Sequence, residues 1–408
     1  MKRSFVLGVF ALSVSAFAFT GCAKKDSSGA AKSSGSGGKK ITLKVWESLS
    51  GPDEFIKQAG EAYSKIHPNV SIEFINVELG DASGQIALDG PAFVGPDLFA
   101  APHDKLGELV SGGHVMPTVA PDEVASEVLG SCSKALTYDG VMYGYPVSAE
   151  TYALFYNKAL ISESEVPSSW EDLAFWTKKF NAANPDKRGF IMDVGNGYYT
   201  IIFTTANGNR LFGESGTDTS HTNLNNQTAV KGMTFFQGLR EILNVPASDL
   251  GTSNADGDFG AGKAAMHITG LWNVKNFRDL GIDFGVAPLP SLPGESTPAA
   301  SFSGTRAMFV SAYSDHPSEA ADFARFLITP EMQQLRFKLT GAMPSINTEV
   351  DSPYMKGFLK QLDYAFPMPS IPQMGEFWTA MNNASKNIWD GADVVTELNA
   401  CNATILGK

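Results

Sequence analysis

The chain has 408 residues, with 31 lysines and arginines against 43 aspartates and glutamates; its 43% hydrophobic and 18% charged fractions are those of a globular protein. The formal charge of −12 hides an asymmetry: Lys2 and Arg3 are the only charges in residues 1–21 and five lysines face one Asp26 in residues 22–40, which leaves 24 basic and 42 acidic residues, net −18, on 41–408. So acidic a body argues against nucleic acid as a partner, three cysteines exclude a disulfide scaffold, and a 368-residue body exceeds what one hydrophobic core supports and predicts two domains.

Met1-Lys2-Arg3 followed by the apolar run SFVLGVFALSVSAFAFTG reads as a signal peptide over 1–21. The run is short for a bilayer span and ends at Thr20-Gly21-Cys22. That ending resembles a bacterial lipobox, with Phe19 where Leu is usual, and makes Cys22 the expected lipidated N-terminus; secretion with cleavage elsewhere is the plainer alternative. Residues 22–40 are rich in Ser, Gly and Lys with no large apolar side chain, the composition of a flexible tether. Its lysines favour an anionic lipid surface. The expected location is therefore extracytoplasmic and membrane-anchored.

Ile41 to Trp46 alternates as a strand, and Asp53 to His67 carries Phe55, Ile56, Ala59, Ala62 and Tyr63 at helical spacing before Pro68. Val70 to Val77 is again a strand, Asp97 to Ala100 a short buried one, and His103 to Val110 a helix stopped by Gly112-Gly113. Helices are predicted over 169–180 and 228–243, extended segments over 190–194 and 264–268, loops over 287–300 and 366–372, and a polar surface excursion over 207–226. Strand and helix alternation points to an α/β sheet with crossovers. Cys132 and Cys401 either pair or stay free; spacing alone leaves both open.

No catalytic constellation stands out. The six histidines lack metal-ligand spacing and no two cysteines are near each other, so no metal or cofactor is expected. Gly257 to Lys263 imitates a P-loop, but Ala264 replaces the Ser/Thr that would hold magnesium, which leaves a helix-to-strand turn. Asn254, Asp256 and Asp258 lack the remaining ligands of a calcium loop. More telling are aromatics set beside polar and Gly residues at Tyr198-Tyr199, Trp272 and Trp378. Such rings cover the apolar face of a sugar while carboxylates and amides bond its hydroxyls, although any one of them also suits a core.

Five segments, in order, resemble one family together. They are Gly95-Pro96-Asp97 with His103-Asp104-Lys105, Tyr145-Pro146 with Glu150 and Tyr156-Asn157-Lys158, Pro167-Ser-Ser-Trp170-Glu-Asp, Phe259-Gly-Ala-Gly262-Lys263-Ala-Ala-Met266 with Gly270-Leu-Trp272, and Met368-Pro-Ser-Ile-Pro-Gln-Met374 with Phe377-Trp378. The chain is similar to the solute-binding proteins of ABC importers, of the maltose/maltodextrin-binding type. That resemblance implies a two-lobed α/β periplasmic-binding fold of type II, with discontinuous lobes, a hinge and a ligand cleft. Transferred by segment order, lobe 1 is 41–148 plus 306–350 and lobe 2 is 153–300 plus 354–408, with crossovers at 149–152, 301–305 and 351–353.

The resemblance further implies that Asp104, Lys105 and Glu150 bond sugar hydroxyls and that Tyr198, Trp272 and Trp378 form an aromatic platform. Asn196, Asn382 and Ser50 are expected at ligand positions where relatives carry Glu, Arg and Asp; Gly51, Ala101 and Thr379 stand where Lys, Trp and Tyr are usual. With maltose-specific polar contacts thinned, an oligosaccharide or other glucoside is expected rather than maltose itself. The implied partners are the sugar, the permease subunits of an ABC importer and a membrane reached through Cys22, with the receptor itself a monomer. The implied role is binding without catalysis; a sensory receptor of the same fold and an extracytoplasmic glycoside hydrolase are the other readings of such a cleft.

Overall fold

The computed structural model describes residues 40–408; the predicted signal peptide, the lipobox with Cys22 and nearly all of the tether lie outside the described residues. Eleven strands follow in chain order: β1 Ile41–Glu47, β2 Val70–Asn76, β3 Leu98–Pro102, β4 Thr137–Tyr138, β5 Val141–Met142, β6 Tyr145–Asn157, β7 Arg188–Ile191, β8 Ala264–Gly270, β9 Phe284–Ala287, β10 Phe302–Val310 and β11 Phe366–Pro367. Nine form one mixed sheet ordered β2-β1-β3-β10-β6-β8-β7, with β11 on β10 and β9 on β6; β4 and β5 make a separate hairpin. β1 is parallel to both β2 and β3, whereas β10 runs antiparallel to β3 and β6.

β6 joins the two ends of the sheet. Its first half pairs with β10 from Tyr145 to Thr151, and its second half with β8 from Tyr152 to Tyr156. Buried along nearly all its length, it shows no polar alternation, as expected of a strand covered on both faces.

Two hydrophobic cores flank this junction. The first gathers Leu43, Val45, Phe55, Phe99, Tyr145, Val147, Ala307, Phe309 and Phe323. The second gathers Tyr152, Phe155, Trp170, Phe190, Phe203, Met266, Phe302, Phe377 and Trp389. β6 and β10 thus each contribute to both. Cys132 and Met343, which segment order assigns to lobe 1, pack with the second core.

Local chemistry accounts for the first helix. Pro52 opens helix Pro52–Ile66, Asp53 and Glu54 occupy its first turn and Lys65 its last, as the helix dipole favours. The turn before it carries Ser50 at φ 67° and Gly51 at φ 124°, beside Thr340. Gly51 has the conformational freedom that position needs.

The predicted helix over 228–243 is two, Gln227–Gly238 and Arg240–Leu243. The excursion at 207–226 differs from a surface loop, because Leu211, Phe212 and Leu224 are buried. Asparagine amides make that possible by bonding its backbone: Asn209 Nδ2 donates to the carbonyls of Thr204 (2.8 Å) and Asn223 (3.0 Å), and Asn223 Nδ2 to that of Arg210 (3.1 Å). Residues 257–264 are the end of helix Thr252–Gly260, the turn at 261–263 and the start of β8. Cys132 and Cys401 are buried free thiols on helices Gly130–Ala135 and Val394–Ile405, pushed up to about 11 and about 12 by burial. No helix among the described residues is long and apolar enough to cross a membrane.

Candidate functional site

The predicted site residues converge from separate elements. β3 ends in the turn His103–Lys105, which carries Asp104. Its neighbour His103 is buried and fixed: Nδ1 accepts the Thr305 N–H (3.1 Å), so Nε2–H donates to the Met368 carbonyl (3.0 Å). Burial pushes this imidazole down to about 4, so it is neutral. The turn is thereby fastened both to β10 and to the segment leading into helix Met374–Trp389, whose second turn carries Trp378. Trp378 Nε1–H donates to Asp104 Oδ2 at 3.1 Å. Desolvation raises the Asp104 carboxyl to about 6, against the opposing pull of Lys105 and the indole N–H.

Tyr198 stands between the two tryptophans, with ring centroids 6.3 Å from Trp378 and 5.9 Å from Trp272, and Phe302 backs it at 6.0 Å. Its hydroxyl is held well above the usual phenol range by burial. Tyr198 lies on the one-turn helix Gly197–Thr200. Asn196 Oδ1 caps that turn by accepting the Tyr198 N–H (3.0 Å), and Asn382 Oδ1 accepts the Gly197 N–H (2.7 Å). The structure therefore gives the acceptor oxygens of both asparagines to the backbone that positions Tyr198. Trp272, 42% exposed, follows β8 on the turn Leu271–Asn273. A Cβ on Gly270 would sit 2.1 Å from its ring, so only glycine lets the indole lie back over the strand end.

Glu150 is at the middle of β6, opposite Gly304 of β10, and accepts from Ser148 Oγ at 3.2 Å. Ser50, Glu150 and Trp272 line one cavity of about 260 Å³, together with Glu78, Arg306 and Arg336. A larger cavity of about 700 Å³, among Gln227, Lys231, Phe235 and Pro293, holds none of the predicted residues. Lys105 is turned toward its own helix, pairing with Glu108 at 3.4 Å. Thr379 is exposed, and Ala101 is buried in β3 opposite Ala307.

Arg306, Glu47 and Arg336 are functional candidates absent from the expected set. Glu47, fully buried, pairs with Arg306 and lies 3.6 Å from Arg336 Nη1. Burial alone would raise its carboxyl, but the two guanidiniums outweigh burial and hold it below the usual range. An arginine inside the apolar strand FSGTRAMFV was the available signal for Arg306. Among the described residues, no group of three or more His, Cys, Asp or Glu is placed to hold a metal; His267 instead bonds Asp256 (2.8 Å) and the Ile191 carbonyl (3.1 Å).

Residues 46–334 match the family of bacterial extracellular solute-binding proteins. The chain belongs to that family. It is 30% identical over 422 residues to the galactooligosaccharide-binding protein of Bacillus subtilis (strain 168), covering 100% of this chain and 98% of that one. It is 29% identical to a maltooligosaccharide ABC transporter solute-binding lipoprotein of Streptococcus pneumoniae (strain ATCC BAA-255 / R6), over 94% and 91% of the two chains. The crystal structure of a cyclo/maltodextrin-binding protein complexed with maltotetraose superposes with a TM-score of 0.78 at 33% identity, covering 91% of this chain and 98% of that one. The fold of this solute-binding protein is accordingly the two-lobed α/β type II periplasmic-binding fold.

Proposed function

We propose that this solute-binding protein is a lipid-anchored extracytoplasmic receptor that closes on a neutral oligosaccharide or glucoside and delivers it to the permease subunits of an ABC importer. The observation that carries the reading is the Tyr198, Trp272 and Trp378 cluster beside Asp104 and Glu150. Flat rings take the C–H face of a pyranose and carboxylates accept its hydroxyls, a combination that suits neither a peptide nor a bare ion. The cavity of about 260 Å³ is below the roughly 300–1,000 Å³ usual for ligand pockets. On this reading an oligosaccharide extends past that cavity toward Tyr198 and Trp378.

The two cores support division into mobile lobes, 41–148 plus 306–350 and 153–300 plus 354–408. Asp104 comes from the side of the first core and Trp378 from that of the second. Opening and closing about the β6 and β10 crossovers moves these groups relative to each other. Relatives that share all or nearly all of the chain are named as oligosaccharide-binding proteins, one of them an ABC transporter lipoprotein, which supports the importer and the anchor.

Thermal denaturation of the purified chain in a panel of maltooligosaccharides, galactooligosaccharides, peptides and polyamines tests the ligand class. A neutral oligosaccharide raises the melting temperature in proportion to log concentration above Kd. A shift with peptide or polyamine and none with any sugar contradicts the assignment. For the anchor, Cys22→Ser releases the chain from the membrane fraction and abolishes incorporation of labelled fatty acid; continued labelling would contradict Cys22 as the lipid site.

A further inference from the structure

Beneath Trp272 and Glu150 the cavity is bounded by buried cations of different standing. Arg306 is satisfied: its Nε donates to Glu47 Oε2 (3.1 Å) and its Nη2 to Glu47 Oε1 and to Ser48 Oγ (2.8 Å). Arg336 is not. Its side chain is 3% exposed, its guanidinium lies 5.1 Å over the Phe55 ring, and Glu47 stands 3.6 Å from Nη1, beyond hydrogen-bond reach. Nε and Nη1 are buried with no hydrogen-bond partner. Buried guanidinium N–H groups without acceptors are costly, and a packing role over Phe55 needs no donors at all. The same side chain lines the cavity that holds Ser50, Glu150 and Trp272.

We propose that Arg336 is a specificity-determining sugar contact, its guanidinium donating to hydroxyl oxygens of a neutral pyranose unit seated on Trp272, with the Glu47 carboxylate 3.6 Å from Nη1 holding it in place. The proposal rests on the sugar-receptor reading and adds the residue and charge class of one subsite. Exclusion of an acidic sugar follows from the charges around the cavity: Arg306 and Arg336 face Glu47, Glu78 and Glu150, an excess of one acid. A uronate carboxylate would add a second uncompensated negative charge.

The test titrates the full chain with maltotetraose and galactotetraose, with monodeoxy versions of whichever binds, and with the counterpart carrying a terminal uronate. Arg336→Met keeps an apolar stem over Phe55, and Arg336→Lys keeps the charge without the planar fork. We expect Arg336→Met to weaken the neutral probe by about tenfold to a hundredfold, the range of lost hydrogen bonds to a charged group. Arg336→Lys falls between. At least one monodeoxy sugar that binds the wild type about tenfold more weakly loses nothing further in Arg336→Met, the signature of a direct contact. Unchanged affinity in both variants, or equal penalties for every deoxy sugar in variant and wild type, overturns the contact. Should Arg336→Met fail to fold, Arg336→Lys with the deoxy series decides the matter. A uronate that binds at least as well as the neutral sugar overturns the charge class. A wild type that binds neither these probes nor any sugar of the melting panel overturns the sugar reading itself, a result distinct from a wild type that binds while its Arg336 variants bind equally.

Discussion

Asp104 and His103 are neighbours in one turn with opposed titrations. Burial raises the Asp104 carboxyl from 3.8 to about 6 and lowers the His103 imidazole from 6.5 to about 4. Between pH 4 and 6 the folded chain holds a proton on Asp104 that the unfolded chain has lost, so this group's contribution to stability declines as pH rises through about 6. His103 does the reverse: its unfolded form binds the proton first, and stability declines as pH falls below 6.5. The two slopes largely cancel in the wild type. Asp104→Asn keeps an acceptor for the Trp378 N–H and removes the ionisation. It should therefore be more stable than wild type at pH 7, by at most about 3 kcal/mol, with an advantage that shrinks toward zero as the pH falls to 4. The same variant binds sugar more weakly, because the carboxylate is the better acceptor. Chemical denaturation at pH 4, 5, 6 and 7 measures the difference; an advantage independent of pH would contradict the assigned shift.

At the scale of elements, legibility followed local signal. β1, helix Pro52–Ile66 and β2 lie within a residue of their predicted positions, because alternation, a Pro at the helix start and a Pro soon after its end are all local. The long strand β6 carries the motif residues Tyr145, Glu150 and Tyr156 but gives no period-two pattern, being covered on both faces. Helix Ala82–Asp89 has Gly84 inside and only eight residues, too few for a helical period to show, so only its packing through Ala82, Ser83 and Ile86 reveals it. Among the proposed site residues, the aromatics and Asp104 were legible as candidates because each stands beside residues with a recognisable spacing. Asn196 and Asn382 were legible as positions but not in their hydrogen bonding: their side-chain oxygens serve the Tyr198 turn, a contact between residues 185 apart for Asn382. The Glu47–Arg306 pair joins residues 259 apart. Nothing local in either segment announces the other.

For the whole molecule, the cleft sits where the chain changes from one core to the other. β6 and β10 cross there side by side, and Thr151 Oγ1 and Ser301 Oγ bond each other at 2.8 Å. Gln361 Nε2 adds a bond to Ser301 Oγ (3.0 Å), so the crossovers are held by satisfied buried polar groups rather than by apolar packing alone. In the closing motion proposed above, such a junction keeps the strands paired while the parts beyond them move. Asp104 and Trp378 meet across it in the structure, and a sugar hydroxyl that reaches Asp104 competes with the indole for the carboxylate. On this reading the aromatic cluster is the sugar platform. Isothermal titration of wild type, Trp272→Ala and Trp378→Ala with the oligosaccharide that gives the largest melting shift tests it directly. Saturable one-to-one binding by the wild type is expected, with a loss of roughly tenfold or more in each variant and the unliganded melting transition still cooperative. Wild-type affinity in both variants would contradict it.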